Sequence, residues 1–126
     1  MSILGVGTDL VNIKRIEAIL KKNKNLFLKK ILHPKELIDK KITPKILAKK
    51  FAAKEAFSKS IGTGIGDVIS FDEIFIDNNK LGAPIIKLDK NVKKKIMKYL
   101  KVRNISFYLS ISDDYPFALA TVIISK

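Results

Sequence analysis

The stretch TPKILAKKFAAKEAFSKSIG, residues 43–62, decides how this chain folds. Thr43 and Pro44 form a helix start: a hydroxyl cap, then a residue whose fixed φ and missing N–H suit the first turn. Gly62 supplies the stop. Between them Ile46, Leu47, Phe51, Ala53, Phe57 and Ile61 recur at helical spacing as a broad apolar stripe, and Ala48, Ala52 and Ala56 make a second stripe of small residues. Glu55 falls between the two stripes. Lys50 and Lys54 project within the large apolar stripe, where lysines are out of place on a helix that only covers a core. Either this face borders a cleft or subunit interface that holds an anion, or the lysines run their stems along apolar surface to reach water. On the second reading Glu55 and Lys59 are a surface i,i+4 pair worth about 0.2–0.5 kcal/mol.

Working outward, residues 3–10 read as a short buried strand in which Gly5 and Gly7 allow a backbone or ligand to approach closely. Residues 11–21 place Val11, Ile16, Ile19 and Leu20 at helical spacing with Asn12 as a cap, and residues 26–32 continue as a helical piece. Pro34 opens another helix, with Glu36 near its positive end. Downstream the period changes. Residues 69–77 are strand-like, but Ile69 and Phe71 fall out of phase with Ile74 and Ile76, which predicts a bulge. A turn to Gly82 leads to a returning strand at 84–88. Asp89 caps a helix to about residue 101, with Val92, Ile96, Met97 and Leu100 on one face. Ile105, Phe107, Leu109 and Ile111 then alternate with polar residues as a half-buried strand, and residues 117–124 return after a turn. The order predicts an α+β fold, a mixed or antiparallel sheet packed against the long central helix, as one domain over residues 1–126.

The 126 residues, 47% hydrophobic, suffice for one core without staples. The absence of cysteine excludes a disulfide framework, a thiolate zinc site and a cysteine nucleophile. Twenty-five basic residues against 12 acidic ones leave a formal charge of +13, a field that attracts polyanions. Nearly all of it is lysine; Arg15 and Arg103 are the only arginines. No apolar run approaches the ~20 residues that span a bilayer. The first ten residues contain Gly5, Gly7 and Asp9 with no basic region before them, so the expectation is a soluble, cytoplasmic protein.

Asp9 ends an apolar strand, where burying an unpaired carboxylate costs several kcal/mol. It either caps the next helix or holds a cation or a lysine. Together with Glu55 it would complete a sparse magnesium site, since Mg²⁺ is content with one or two carboxylates, waters and substrate phosphates. Gly62-Thr63-Gly64-Ile65-Gly66 follows a helix and lacks the Gly-Lys-Ser/Thr ending of a phosphate loop. It reads as a helix stop, or as a nest of amides beside a phosphate. His33, the single histidine, precedes a proline at a helix start and reads as structural.

The segments GVGTDLVNIKRIE, FAAKEAFSKSIGTGIG, ISFDEIFI with LGAPII, and YLSISDDYPFALATVII occur in this order, and the whole chain resembles the holo-acyl-carrier-protein synthases, the small bacterial phosphopantetheinyl transferases. The resemblance implies transfer of the 4′-phosphopantetheine arm of coenzyme A to a serine of acyl carrier protein for fatty acid biosynthesis, releasing adenosine 3′,5′-bisphosphate. It implies Asp9 and Glu55 as Mg²⁺ ligands and Lys59 as a basic partner of the coenzyme A phosphates. Lys50, Lys54, Gly62, Gly64, Gly66 and Pro84 fall at coenzyme A-binding positions. Ala83 departs from the basic residue that many members carry in Gly82-Ala83-Pro84, which removes one cation from the nucleotide edge. The resemblance further implies a homotrimer with the site between subunits. The general base is Glu55 or a water held by the metal; some relatives carry histidine at the position of Asp113, and a histidine base is untenable here. Arg15, Lys14, Lys21 and Lys22 on the first helix are where the acidic carrier would dock. The alternative, a small basic nucleic-acid-binding protein, explains the charge but lacks an RNP-like aromatic motif, a helix-turn-helix signature and arginine. Neither nucleic acid nor a membrane is expected as a partner.

Overall fold

A computed structural model describes residues 2–39 and 41–126. Strand β1 (Ile3–Asn12) leads into helix α1 (Ile13–Ile31), the one-turn helix α2 (Pro34–Leu37) and the long helix α3 (Pro44–Ile61). A 3-10 turn (Phe71–Glu73) precedes a hairpin of β2 (Ile74–Asn78) and β3 (Pro84–Leu88). Helix α4 (Lys90–Leu100) and a second hairpin, β4 (Ser106–Asp114) and β5 (Phe117–Ser125), complete the chain. The architecture is α+β and every pairing is antiparallel: a three-stranded sheet in the order β1-β5-β4 and a separate two-stranded β2–β3 ribbon.

Alternation builds the sheet. Ala118, Ala120, Val122 and Ile124 of the central strand β5 are fully buried, one from each successive pleat. On the same inner face β1 presents Gly5, Gly7, Asp9 and Val11, and α3 lies against it. A Cβ on Gly5 would overlap the Ser60 carbonyl oxygen, and one on Gly7 would overlap the Ala56 carbonyl oxygen. Strand and helix therefore meet backbone to backbone, with Ala48, Ala52 and Ala56 of the small stripe fully buried. The large stripe packs elsewhere: Phe57 meets Phe107 edge-on at 5.1 Å, and Phe51 stacks on Phe71 at 5.1 Å. Thr43 Oγ1 accepts from the Ile46 N–H at 3.2 Å, and Gly62 closes α3 at φ +92°.

Four local expectations change. β1 runs two residues further, because Val11 is buried opposite Ala118 and Asn12 accepts from the Lys14 N–H at 3.0 Å to cap α1. α1 bends at Asn23 (φ −157°, ψ 72°), which is why its sequence reads as two helical pieces. Ile69 and Phe71 are out of phase because a 3-10 turn, not a bulge, precedes β2; the Ser70 N–H donates to Glu73 Oε1 at 3.0 Å and fastens it. Asp89 stands at the N-cap of α4 without making a capping bond, and faces His33 Nε2 at 3.5 Å.

The larger correction concerns Lys54, which is not a coenzyme A ligand. Its side chain is fully buried, and its ammonium donates to the carbonyls of Ile31 (2.7 Å) and Phe71 (3.1 Å) and to Glu36 Oε1. Three donors meet three acceptors, and nothing remains for a ligand. Burial pulls the ammonium down to about 8, while the Glu36 carboxylate works in the opposite direction. Glu36 is equally buried: it also accepts from the N–H groups of His33 (2.9 Å) and Ile76 (3.1 Å) and from Lys50 Nζ (3.2 Å). One carboxylate thus ties α2, α3 and β2 together. Replacing Lys54 by Met leaves Lys50 as the only cation on that carboxylate and takes the donor from two buried carbonyls, and should lower stability toward the lower end of about 3–5 kcal/mol. Chemical denaturation measures it, and a loss below about 1 kcal/mol would contradict the structural role given to the pair.

Candidate active site

The inner face of β1 continues past Gly5 and Gly7 to Asp9, and the neighbouring turns of α3 carry Glu55 and Lys59. Lys59 Nζ donates to Asp9 Oδ1 at 3.0 Å and to the Thr8 carbonyl at 3.0 Å. Asp9 therefore does not cap the next helix, which Asn12 does, and in the metal-free chain it pairs with a lysine. The side chain of Asp9 is 15% exposed and that of Lys59 50%, so the pair sits at the floor and lip of an open site. Glu55 is partly buried; burial pushes its carboxyl above the ordinary range, Asp9 adds to the rise, and Lys59 and Arg15 oppose it. Lys59 turns to Asp9 and away from the simple i,i+4 pairing with Glu55.

Asp9 and Glu55 bring two carboxylates from facing elements to one place. Among the described residues no third Asp, Glu, His or Cys joins them. Two hard oxygen ligands fit Mg²⁺, which keeps waters and takes phosphate oxygens for the rest of its shell, and do not fit a nitrogen- or sulfur-rich zinc site. Arg15 stands at the rim with its guanidinium carbon 6.0 Å from the centre of the Phe51 ring. Lys14, Lys21 and Lys22 are exposed along α1.

The glycine loop after α3 does not offer the amide nest considered above. The N–H of Gly62 donates to Ser58 and Lys59 carbonyls, those of Thr63 and Gly64 donate to Ser58, and that of Gly66 donates to Ile69. The loop is a helix stop. Its glycines keep φ at +92°, +68° and +147°, and the space beside each Cβ position is open, so a ligand can lie against bare backbone.

Lys50 and Pro84 come together elsewhere, on the wall of a cavity of about 390 Å³ with Ile46, Lys49, Ile76 and Ile111. Lys50 Nζ spends two donors on Glu36 (3.2 Å) and the Ile76 carbonyl (3.0 Å), and keeps a third. Glu36 serves both Lys50 and Lys54, so the buried trio carries one net positive charge, delivered to the cavity through Lys50. This cluster lies apart from Asp9 and Glu55. Along α3, Lys50 and Lys59 are about 14 Å apart and about half a turn round the axis, on opposite sides of one helix.

Sequence reading passed over two features. Glu36 was legible only as a first-turn acid, although its spacing from His33 is that of a capping box, which it forms. Asp113 bridges Lys45 (3.0 Å) and Lys49 (3.3 Å) at the edge of the cavity, a contact between β4 and α3 that no local pattern signals.

The raised Glu55 has a consequence for stability. Its contribution is complete below the ordinary carboxyl value of 4.5 and is lost as pH rises through the raised value, so ionised Glu55 weighs against the metal-free fold at neutral pH. Glu55→Gln should melt above wild type at neutral pH without divalent ions, with the difference closing toward pH 4. Thermal scans at both pH values decide; coincident melting at neutral pH would contradict the shift.

The sequence pattern of the 4′-phosphopantetheinyl transferase superfamily matches residues 5–120. A holo-[acyl-carrier-protein] synthase of Pelagibacter ubique is 44% identical over 129 residues, spanning 100% of this chain and 99% of that protein. Among solved structures, the holo-[acyl-carrier-protein] synthase of Neisseria meningitidis superposes with a TM-score of 0.87 at 38% identity, covering 99% of this chain and 100% of that one. That of Helicobacter pylori, in complex with coenzyme A, gives a TM-score of 0.81 at 39% identity over 95% and 99%. With the paired carboxylates of β1 and α3 inside the matched span, the chain belongs to the 4′-phosphopantetheinyl transferase superfamily and is similar along its whole length to holo-[acyl-carrier-protein] synthases.

Proposed function

We propose that this chain transfers the 4′-phosphopantetheine group of coenzyme A to a serine of apo-acyl carrier protein in the cytoplasm, with Mg²⁺, in support of fatty acid biosynthesis. The observation that carries this reading is the convergence of Asp9, Glu55 and Lys59 where β1 and α3 touch. In the reaction the serine hydroxyl oxygen bonds to the β-phosphorus of coenzyme A and the bond to the bridging oxygen breaks. Adenosine 3′,5′-bisphosphate leaves with the electron pair, and the serine proton passes to a base. Such transfer asks the protein for positioning and charge stabilisation and needs no protein nucleophile.

Asp9 and Glu55 would hold the metal, which when bound supplies Lewis-acid polarisation of phosphate oxygens. Lys59, paired with Asp9 in the metal-free chain, would turn its ammonium to the negative charge of the leaving phosphate. Glu55, with its carboxyl raised by burial, is a candidate for the proton. His33 is not: its Nδ1 accepts the Lys35 N–H at 3.0 Å inside a helix cap and the ring is buried. Lys50 and Pro84 would receive the nucleotide, the open backbone at Gly62, Gly64 and Gly66 would line its path, and Arg15, Lys14, Lys21 and Lys22 would face the acidic carrier.

Apo-carrier, coenzyme A and Mg²⁺ are incubated with the protein and the carrier is weighed by mass spectrometry. Wild type should add the phosphopantetheine arm, and Glu55→Gln should be slower by on the order of 100-fold or more while remaining folded. Near-wild-type transfer by the variant at saturating Mg²⁺ would sink the assignment.

A trimer accounts for two further observations. Lys50 and Lys59 lie on opposite sides of α3, so one coenzyme A reaches both sets only if a neighbouring subunit supplies one of them. The outer face of the sheet is also uncovered: Val6, Leu10, Tyr108, Phe117 and Leu119 are 59%, 63%, 48%, 46% and 41% exposed. Register places Val6 and Tyr108 beside Ile123, and Leu10 beside Leu119, so one apolar row crosses three strands and another two. Light scattering should give three times the chain mass. Leu10→Lys combined with Leu119→Lys should yield a folded, inactive monomer; a fully active wild-type monomer would refute the shared site.

A further inference from the structure

The outer face of α4 carries charge that phosphopantetheine transfer leaves unused. The helix buries Val92 and Ile96, and its first turn holds no acidic residue. Lys95 pairs with Glu73 at 3.1 Å. Among the described residues no carboxylate lies within 4.0 Å of the side-chain cations of Lys90, Lys93, Lys94, Lys98, Lys101 or Arg103. This arrangement works against the helix. Lys90, Lys94 and Lys98 follow one another at i,i+4, where like charges repel. Lys90 and Lys93 stand at the positive end of the macrodipole. Asp89 at the N-cap and Lys98 in the last turn offset part of this, but the row of like charges remains, and it points to an external anion that relieves it.

The geometry beside the helix narrows the anion. Two shallow cavities of about 340 and 290 Å³ adjoin there and share Arg103 and Asn104. Lys101 and Lys126 flank the first, and Lys90, Lys93 and Lys94 the second. We propose that this face docks on anionic phospholipid headgroups and holds the protein peripherally on a negatively charged membrane. Adjacent cationic hollows on an open surface match a lattice of phosphates. A cluster of four to eight Lys or Arg on an amphipathic helix is the pattern that such surfaces attract. Tyr99, 50% exposed, is the one large apolar side chain that α4 leaves open, and an amphipathic ring of this kind sits at headgroup level, so the contact is with headgroups and not acyl chains. No described helix is long and apolar enough to cross a membrane, and surface docking requires none. A single nucleic-acid strand is the poorer fit, because neither cavity has an aromatic wall on which a base could stack.

Co-sedimentation tests this with vesicles of phosphatidylcholine mixed with phosphatidylglycerol against phosphatidylcholine alone. Two triple variants lose the same charge: Lys90→Gln, Lys94→Gln, Lys98→Gln on α4, and Lys14→Gln, Lys21→Gln, Lys22→Gln on α1. Wild type should bind only the mixed vesicles, and less as salt rises. At about fivefold per lysine the α4 variant should bind on the order of 100-fold more weakly, with circular dichroism and transfer activity unchanged. The α1 variant should stay near wild type. Undiminished binding by the α4 variant overturns the proposal. So does equal loss in both variants, which would mean bulk charge alone, and so does tighter capture of a single-stranded oligonucleotide by the α4 face than of mixed vesicles.

Discussion

The contact of β1 with α3 at Gly5 and Gly7 is the constraint on which the rest of the molecule depends. A strand and a helix usually keep a side-chain layer between them, and here there is none on the strand side. Any Cβ at these positions would meet a helix carbonyl, so the helix would have to lift or slide. Asp9 lies two residues beyond Gly7, and Glu55 directly precedes Ala56, whose carbonyl Gly7 touches. The spacing that lets two carboxylates and Lys59 share one place is therefore inherited from the absence of side chains one pleat earlier.

The lysines of α3 show how burial sorts residues of one type into different tasks. Lys54 is enclosed with three acceptors and serves only the fold. Lys50 shares the same carboxylate but keeps a donor at a cavity wall. Lys59 neutralises Asp9 at an open edge, while Lys45 and Lys49 are held by Asp113. An ammonium is a point charge on a flexible stem, and what it does follows from which acceptors reach it and how much water is left. Glu36, with no exposed side-chain surface, sets that division for two of the five.

The site also shows a conflict between binding and stability. Glu55 is held partly out of water, and its raised carboxyl reflects that burial first and the neighbouring Asp9 charge second. The outer face of the sheet repeats the theme on a larger scale: Val6, Leu10, Tyr108, Phe117 and Leu119 stand open to water, an apolar patch that the proposed neighbouring subunits would cover. In both cases burial and exposure run against the stability of the isolated chain, which the proposed metal and shared interface would relieve.

Periodicity, caps and breakers in the sequence determined the elements: the long helix from Thr43 to Gly62, the alternating hairpin at the C-terminus, the α+β order, and the fact that Asp9 and Glu55 are anomalous where they stand. Those signals are local, carried by residues within a few positions of one another, and the family resemblance drew on the same segments. Pairing across long separations was beyond them. That Lys59 and not a helix cap holds Asp9, that Lys54 is spent on Glu36, that Lys50 keeps a donor at a cavity wall, and that the glycine amides are already bonded were decided only when strand and helix packed. A residue's charge and shape are written in the chain, but its remaining hydrogen-bond capacity and its exposure to water depend on neighbours that only the tertiary structure brings near.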